Sequence, residues 1–456
     1  MLSFCRRAAR RDDRPSFGEG DKIMPRSEDR PSLGEGDKIM PRDEALERFD
    51  QLRVREAIAE DYHTAAFLAQ FQSIAASLEP DERIKLEVAY PLEGVKLLKA
   101  VLADPQASKI CSLHWWYNGK KGVNSIVPLL TNNCPELASL RVDFWYHSAF
   151  DFVSSVLEHP SNKIKVLEMS GCPKGDSARF FAALGRSQVS ALALSLSPKS
   201  VQGLHEYVAK DLLVRLEAGM DYKQVPHEMM MSLVKCTRLA KLKLAECEFS
   251  QSTAFPKSIT KLVLHDCTFA GGFDWSFLAD SKVRELDFDK VKGVDGNRLG
   301  GALAVHLRAK GLDTLCFFNC LFVNETLAAV GLGVGRNKRL EVDDHLNDAS
   351  TGLISLALQS PNSELRELVL SYGDDAVSSI ENHLVPASKH PKCNLTKLSL
   401  RVLEPELEAA AKTIEDMFYN RLALFALLQG QRVRGRYYPL RRLPVEMFRL
   451  VGMALI

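Results

Sequence analysis

The chain has no excess of charge of either sign: 59 Lys and Arg stand against 58 Asp and Glu, a formal charge of +1 in 456 residues. A general nucleic-acid binder normally carries a basic surplus, so that class is set aside, while local patches of either sign remain allowed. No apolar run is long enough to span a bilayer. The first residues lack the continuous apolar core of a secretory signal, because Arg6, Arg7, Arg10 and Arg11 arrive too early. A cytoplasmic, reducing compartment is therefore expected. The ten cysteines show neither CxxC pairing nor Cys/His spacing suited to zinc, so reduced and mostly buried thiols are expected, with no metal.

Catalytic and cofactor signatures are also missing: there is no GxxxxGK[ST], no HExxH and no GxSxG. Gly331 to Gly335 reads GLGVG, but Arg336 stands where the third glycine of a dinucleotide fingerprint belongs. Asp343, Asp344, His345 and Asp348 lack the spacing and the glycine of a calcium loop, so they read as a polar loop. Neither a cofactor nor a catalytic residue is expected.

What is present is repetition. The length exceeds what one core usually organises, which leaves several domains or a repeat array. Asp13–Arg26 (DRPSFGEGDKIMPR) returns as Asp29–Arg42 (DRPSLGEGDKIMPR), offset by 16 residues. The unit is rich in Pro, Gly and charge and poor in large apolar groups, so residues 1–42 are expected to be a disordered tail. A duplication in a tolerant tail is the plainer explanation; a presented linear motif or an export signal stays open. Residues 43–80 carry helical periodicity (Leu46, Phe49, Leu52, then Phe67, Leu68, Phe71, Ile74, Leu78) and read as a helical N-terminal cap.

From residue 81 a ladder of apolar residues at i, i+3 and i+5 begins. Its central leucines fall at Leu86, Leu113, Leu140, Leu167 and Leu192, in steps of 27, 27, 27 and 25 residues. The ladder resumes at Leu242, Leu262, Leu286, Leu315, Leu368 and Leu398, with Leu340 a weak member. The 50-residue gap before Leu242 leaves room for a degenerate repeat around Leu213–Leu216 or for an insertion. Asn118, Cys172, Cys247, Cys267 and Cys320 stand three residues past the last leucine-type position of the ladder in their units, where a small polar or thiol side chain can satisfy backbone groups between turns. Helical stretches lie between, such as 93–102, 123–130, 150–157, 177–184, 299–307, 353–358 and 377–384.

This L-x-x-L-x-L-x-x-N/C pattern over residues 81–403 resembles the long, ribonuclease-inhibitor-like class of leucine-rich repeats. The resemblance implies an α/β solenoid, a horseshoe with parallel strands on the concave face, helices on the convex face, and helical caps at both ends. Side chains between the ladder leucines then point onto the concave face. Early repeats offer Lys85, Glu87, Ser112, His114, Trp116, Arg141 and Asp143; middle repeats offer the basic Lys241, Lys243, Lys261 and His265. The acidic Glu285, Asp287 and Asp289 follow, then Phe318, Glu341, Asp343 and Glu367, and finally Lys397 and Arg401. Adjoining blocks of opposite sign suit a charged protein partner, with Trp116 and Phe318 as anchors.

Residues 404–456 are expected to be helical. Leu443, Pro444, Glu446, Met447 and Leu450 resemble the opening helix of an F-box (LPxE followed by spaced aliphatics). That likeness implies docking to a Skp-type adaptor of a ubiquitin ligase, with the repeats choosing the target. The residues that carry the likeness cover only the opening helix of an F-box, and a helical cap over the last repeat is the competing reading. Gly301-Ala302-Leu303-Ala304 is similar to the signature of the GALA family of bacterial leucine-rich-repeat effectors, in one copy where that family has many. The likeness implies a protein secreted into a host cell. Two further readings stay open: a cysteine-based ubiquitin ligase using Cys134, Cys236 or Cys393, and a structural repeat scaffold with no ligase link.

Overall fold

Alternation of buried and part-exposed residues, the signature of a strand with one covered face, recurs in short segments along the whole described chain. The computed structural model describes residues 62–79, 82–89, 94–117, 122–144, 149–170, 175–195, 201–250, 255–270, 272–343, 346–372, 379–390, 393–402, 412 and 415–416. The expected disordered tail, the first part of the N-terminal cap and the F-box-like segment lie outside them. The described chain divides into two units, Met1–Asp176 and Ser177–Ile456.

Unit 1 opens with helix α1, Tyr62–Ser77, whose Phe67, Phe71 and Ala75 are buried at helical spacing, with Leu78 buried just beyond its end. Its last turn is closed by Lys109, which donates to the Ala75 carbonyl at 2.8 Å. Then come β1 (Ile84–Ala89), α2 (Gly94–Ala103), β2 (Ile110–Tyr117), α3 (Val127–Asn133), β3 (Ser139–Phe144), α4 (Ala149–Leu157) and β4 (Val166–Ser170). The strands pair in chain order and in parallel, with Leu86, Leu113, Leu140 and Leu167 in one register row. Those leucines are at most 1% exposed, and burying each contributes about 2 kcal/mol. Where one helix was expected over 123–130, a short 3-10 turn at Val123–Ser125 precedes α3. Pro128 accounts for the break, since its ring suits a first helical turn and no later one.

Unit 2 repeats the pattern with α5 (Ser177–Leu184), β5 (Ala191–Ser195), α6 (Val201–Val208), β6 (Arg215–Gln224), α7 (His227–Lys235), β7 (Lys241–Phe249), β8 (Lys261–His265) and the two-residue β9 (Thr268–Phe269). It continues with α8 (Phe277–Asp280), β10 (Glu285–Asp289), α9 (Gly296–Ala309), β11 (Leu312–Phe318), α10 (Val323–Val330) and β12 (Asn337–Asp343). The last elements are α11 (Asp348–Gln359), β13 (Glu367–Tyr372), α12 (Val385–Lys389) and β14 (Lys397–Val402). Apart from β9, which pairs with β7, the strands are parallel neighbours in chain order. Leu216 fills the gap in the ladder, pairing with Leu192 on one side and Leu242 on the other. Leu340 is a full member, in register with Leu315 and Leu368.

Turn chemistry closes four repeats of unit 2, while the corners expected at Asn118 and Cys172 lie outside the described residues. Glu246, Asp266, Lys290 and Asn319 all adopt left-handed backbone (φ 55°, 49°, 55° and 52°), which swings the following residue inward. Those followers are Cys247, Cys267, Val291 and Cys320, all buried. The Cys267 thiol lies 3.4 Å from the Leu244 carbonyl, and the Cys320 thiol 3.5 Å from that of Phe288, so each bonds to the preceding turn. Cysteine suits this corner because it is small and can donate weakly.

Two local departures have physical causes. The step from β7 to β8 is too short for a standard helix, and aromatic rings fill the space instead. Phe249 stacks on Phe269 at 4.7 Å, and Phe255, Phe273, Trp275 and Phe277 close round them. The expected helix over 377–384 is a π-turn at Ile380–Leu384 followed by α12. Pro386 donates no N–H and crowds the carbonyl of the preceding turn, so the ladder widens there.

In the GALA segment, Gly301 has open space beyond its Cα, so its glycine is not required by packing. The close approach is made by Gly296 and Gly300, where a Cβ would stand 2.6 Å from that of Glu325 and 2.5 Å from that of Ala329. Small residues one turn apart let α9 lie tight against α10. Fully buried His306 on α9 places its two ring nitrogens 2.7 and 2.9 Å from the carbonyls of Leu278 and Val283. It thereby serves the backbone of the repeat whose own helix, α8, has four residues.

Candidate protein-binding face

Each strand offers alternate side chains to the open face of its sheet, and parallel register aligns them in rows about 4.8 Å apart. In unit 1 the central row is Glu87, His114, Arg141 and Glu168, and the next is Ala89, Trp116, Asp143 and Ser170. His114 sits between two carboxylates, with Nδ1 3.3 Å from Glu87 and Nε2 2.9 Å from Asp143. The indole nitrogen of Trp116 lies against the same Nε2, whose proton goes to the Asp143 carboxylate. Arg141 reaches Asp143 at 3.5 Å and Glu168 at 3.8 Å.

Asp143 is 5% exposed. Burial works to raise its carboxyl pKa, but hydrogen bonds from His114 and Ser170 and the Arg141 guanidinium together hold it below the usual carboxylate value. Trp116 is 43% exposed, a large aromatic fixed on a rigid strand.

In unit 2 the expected basic and acidic zones are adjacent, and they partly neutralise one another. Lys261 pairs with Glu285 at 2.6 Å and His265 with Asp289 at 2.5 Å, both across β8 and β10. Lys243 lies 3.9 Å from Glu217, a residue sequence reading passed over, and Lys241 is exposed. Glu341 is buried and held by two guanidiniums, Arg339 at 2.5 Å and Arg401 at 3.1 Å. Arg339 was also missed, although it occupies the outward position two residues before Glu341; reading Leu340 as weak hid it.

Asp287 differs from all of these. No ion pair to it exists among the described residues, and its Oδ1 is buried without a hydrogen-bond partner. Burial, with Asp289 and Glu341 nearby, pushes its carboxyl up to about 6, against the partial counterweight of Lys261 and Lys243. The adjacent Cys316 thiol is pushed up to about 12 by burial and by Asp287 and Glu341. Phe318 and Asp343, half-buried, continue the row of Asp289.

Two of the three thiols considered for ligase chemistry fit that role poorly. Burial raises Cys134 to about 12 and Cys236 to about 11, whereas a nucleophilic cysteine needs a lowered pKa. Cys393 is half-exposed, and the eight described cysteines are all free thiols. No group of three or more His, Cys, Asp or Glu suited to a metal ion occurs among the described residues. No described helix is long and apolar enough to cross a membrane. Of the expected polar loop, Asp343 instead ends β12 and Asp348 opens α11, accepting from Ser379 at 2.8 Å and lying 3.0 Å from His383, while Asp344 and His345 fall outside the described residues.

Parallel strands alternating with helices and a row of buried leucines define each unit as a leucine-rich-repeat solenoid, with buried cysteines at the corners described in unit 2. Among solved structures the chain is similar to an internalin from Listeria monocytogenes, at 14% identity over 77% of this chain and 93% of that one, with a TM-score of 0.41. It is also similar to the leucine-rich-repeat-containing protein LegL7 from Legionella pneumophila, at 13% identity over 73% and 96%, TM-score 0.36. A third likeness is to the LRIM1/APL1C complex, at 13% identity over 78% and 67%, TM-score 0.29. No protein-family model matches the chain, and no curated protein sequence does.

Proposed function

We propose that the chain is a protein-interaction module that seats a protein target on the open strand face and carries it to a ubiquitin ligase, without catalysing a reaction itself. The observation that carries this reading is the row geometry: His114, Arg141 and Asp143 beside exposed Trp116 in unit 1, and the charged rows from Lys241 to Asp343 in unit 2, all fixed on strands. Rigid presentation lowers the ordering entropy that binding must overcome. Charge complementarity then selects the partner and speeds encounter. Trp116 and Phe318 supply the apolar anchors.

The ligase link rests on Leu443, Pro444, Glu446, Met447 and Leu450, whose F-box likeness points to a Skp-type adaptor. Action inside a host cell, in a reducing compartment, suits the free thiols and the GALA-like helix. Co-purification of the full chain with a recombinant Skp-type adaptor tests the link. Binding is expected, with loss of at least about tenfold on Pro444→Ala with Glu446→Ala. Equal or absent adaptor binding by both proteins leaves target binding alone.

A further inference from the structure

The open face of unit 2 is unevenly covered. On β7, β8 and β10 the central-row residues Lys243, Val263 and Asp287 are half-exposed. Their register partners farther along are not: Cys316 is 6%, Glu341 5% and Val369 3% exposed. Ser371, next to Asp343 in the outer row, is 3% exposed, and its hydroxyl has no hydrogen-bond partner. An unmet buried hydroxyl on the open side of a sheet, beside Asp343 and in line with Asp289, marks a surface that receives a polar ligand.

The chain itself supplies a matching one. Met417 to Val445 contains six arginines and no acidic residue, and five of the six fall between Arg432 and Arg442. Its starting point is fixed close by, because the Glu415 carboxylate accepts from the backbone N–H of Leu400 on β14. From β14 to β12 is two strand spacings and to β10 four, about 10 and 19 Å. Glu415 and Arg432 are 17 residues apart, enough chain to span about 26 Å even if wound as an α-helix and more if extended, so the stretch can reach both strands.

We propose that the arginine-rich stretch 432–442 docks on the acidic strip of the chain's own open face, Asp287, Asp289 and Asp343, and holds that surface until a protein partner displaces it. The proposal rests on the open face being a binding face. Guanidiniums suit it because each donates a planar fork to a carboxylate, which would satisfy Asp287 where no described cation does.

Limited trypsin cleavage of the full chain tests this, with cutting at Arg26 and Arg42 as the internal standard. At low ionic strength, cutting at Arg432, Arg434 and Arg436 is expected to be about tenfold slower than at high ionic strength, where the ion pairs are screened. Asp289→Asn with Asp343→Asn removes the protection at low salt. Asp289→Arg with Asp343→Arg removes it too, and adding Arg434→Glu with Arg436→Glu restores it, read at Arg432, Arg441 and Arg442. Cutting indifferent to salt in the unaltered chain overturns the proposal, whatever the folding of the variants. So does equal cutting in the unaltered and Asn-substituted chains. An exposed tail on a face that still captures a protein partner refutes self-docking and leaves the binding face standing; a protected tail with no partner captured supports self-docking and counts against the target reading.

Discussion

The open strand faces of the two units differ in how completely their charges are paired. In unit 1 every charged group of the central cluster has a neighbour of the other sign, and Asp143 is held ionised from two sides. In unit 2 the pairs Lys261–Glu285, His265–Asp289 and Arg339–Glu341 leave Asp287 between them with no described cation. Identical backbone geometry thus yields a closed network in one place and an unmet carboxylate in the other. A closed network stabilises the fold and fixes side chains. An unmet group costs stability, and the cost is recovered when a ligand supplies the missing charge.

The sharpest way to break the comparison is Asp143→Ala. It leaves His114 and Arg141 facing each other without their shared anion, and a loss of about 3 kcal/mol is expected in chemical denaturation. Because the folded pKa of Asp143 lies below its unfolded value, its contribution is present at neutral pH and lost as the pH falls through the folded value.

Asp287→Asn is expected to act the other way. With a folded value near 6 against an ordinary 3.8, the unfolded chain releases this proton first, so Asp287 costs stability as the pH rises from about 4 to 6. At high ionic strength, where pairing with the arginine-rich stretch is screened, the neutral isostere should therefore stabilise the protein by about 1–3 kcal/mol at pH 7 and by almost nothing below pH 4, read from denaturation at both values. At low ionic strength the docked guanidiniums should shrink or reverse that gain at pH 7, and a destabilised Asn variant at high ionic strength would mean Asp287 has a cation elsewhere in the folded chain. The smallest effect belongs to Lys243→Ala. Its 3.9 Å pair with Glu217 is part-exposed, and removal should change stability by less than about 0.5 kcal/mol, with the difference vanishing at high salt.

Much of this was readable in the residues. The ladder leucines placed the strands, and alternation placed His114, Trp116, Asp143 and Asp287 on the outward rows. Helix limits were less legible where proline intervened, as at Pro128 and Pro386, or where apolar periodicity was short, as in α6, α7 and α10. The pairing of face charges could not be read at all, because it depends on which repeats become neighbours. Arg339 and Arg401 stand far apart in sequence yet meet on Glu341. For the same reason the basic and acidic zones look like two offers to a partner in sequence, and in the folded chain are partly spent on each other.

The central claim is that the open strand face, and not the helical side, binds a protein. The direct measurement is the affinity of a partner captured by the full chain, compared among the unaltered protein, Trp116→Ala with Phe318→Ala on the face, and Leu356→Ala, exposed on α11. At least about tenfold weaker binding is expected for the face variant, with the α11 variant unchanged. Unchanged binding by the face variant, with loss in the α11 variant, would contradict the account.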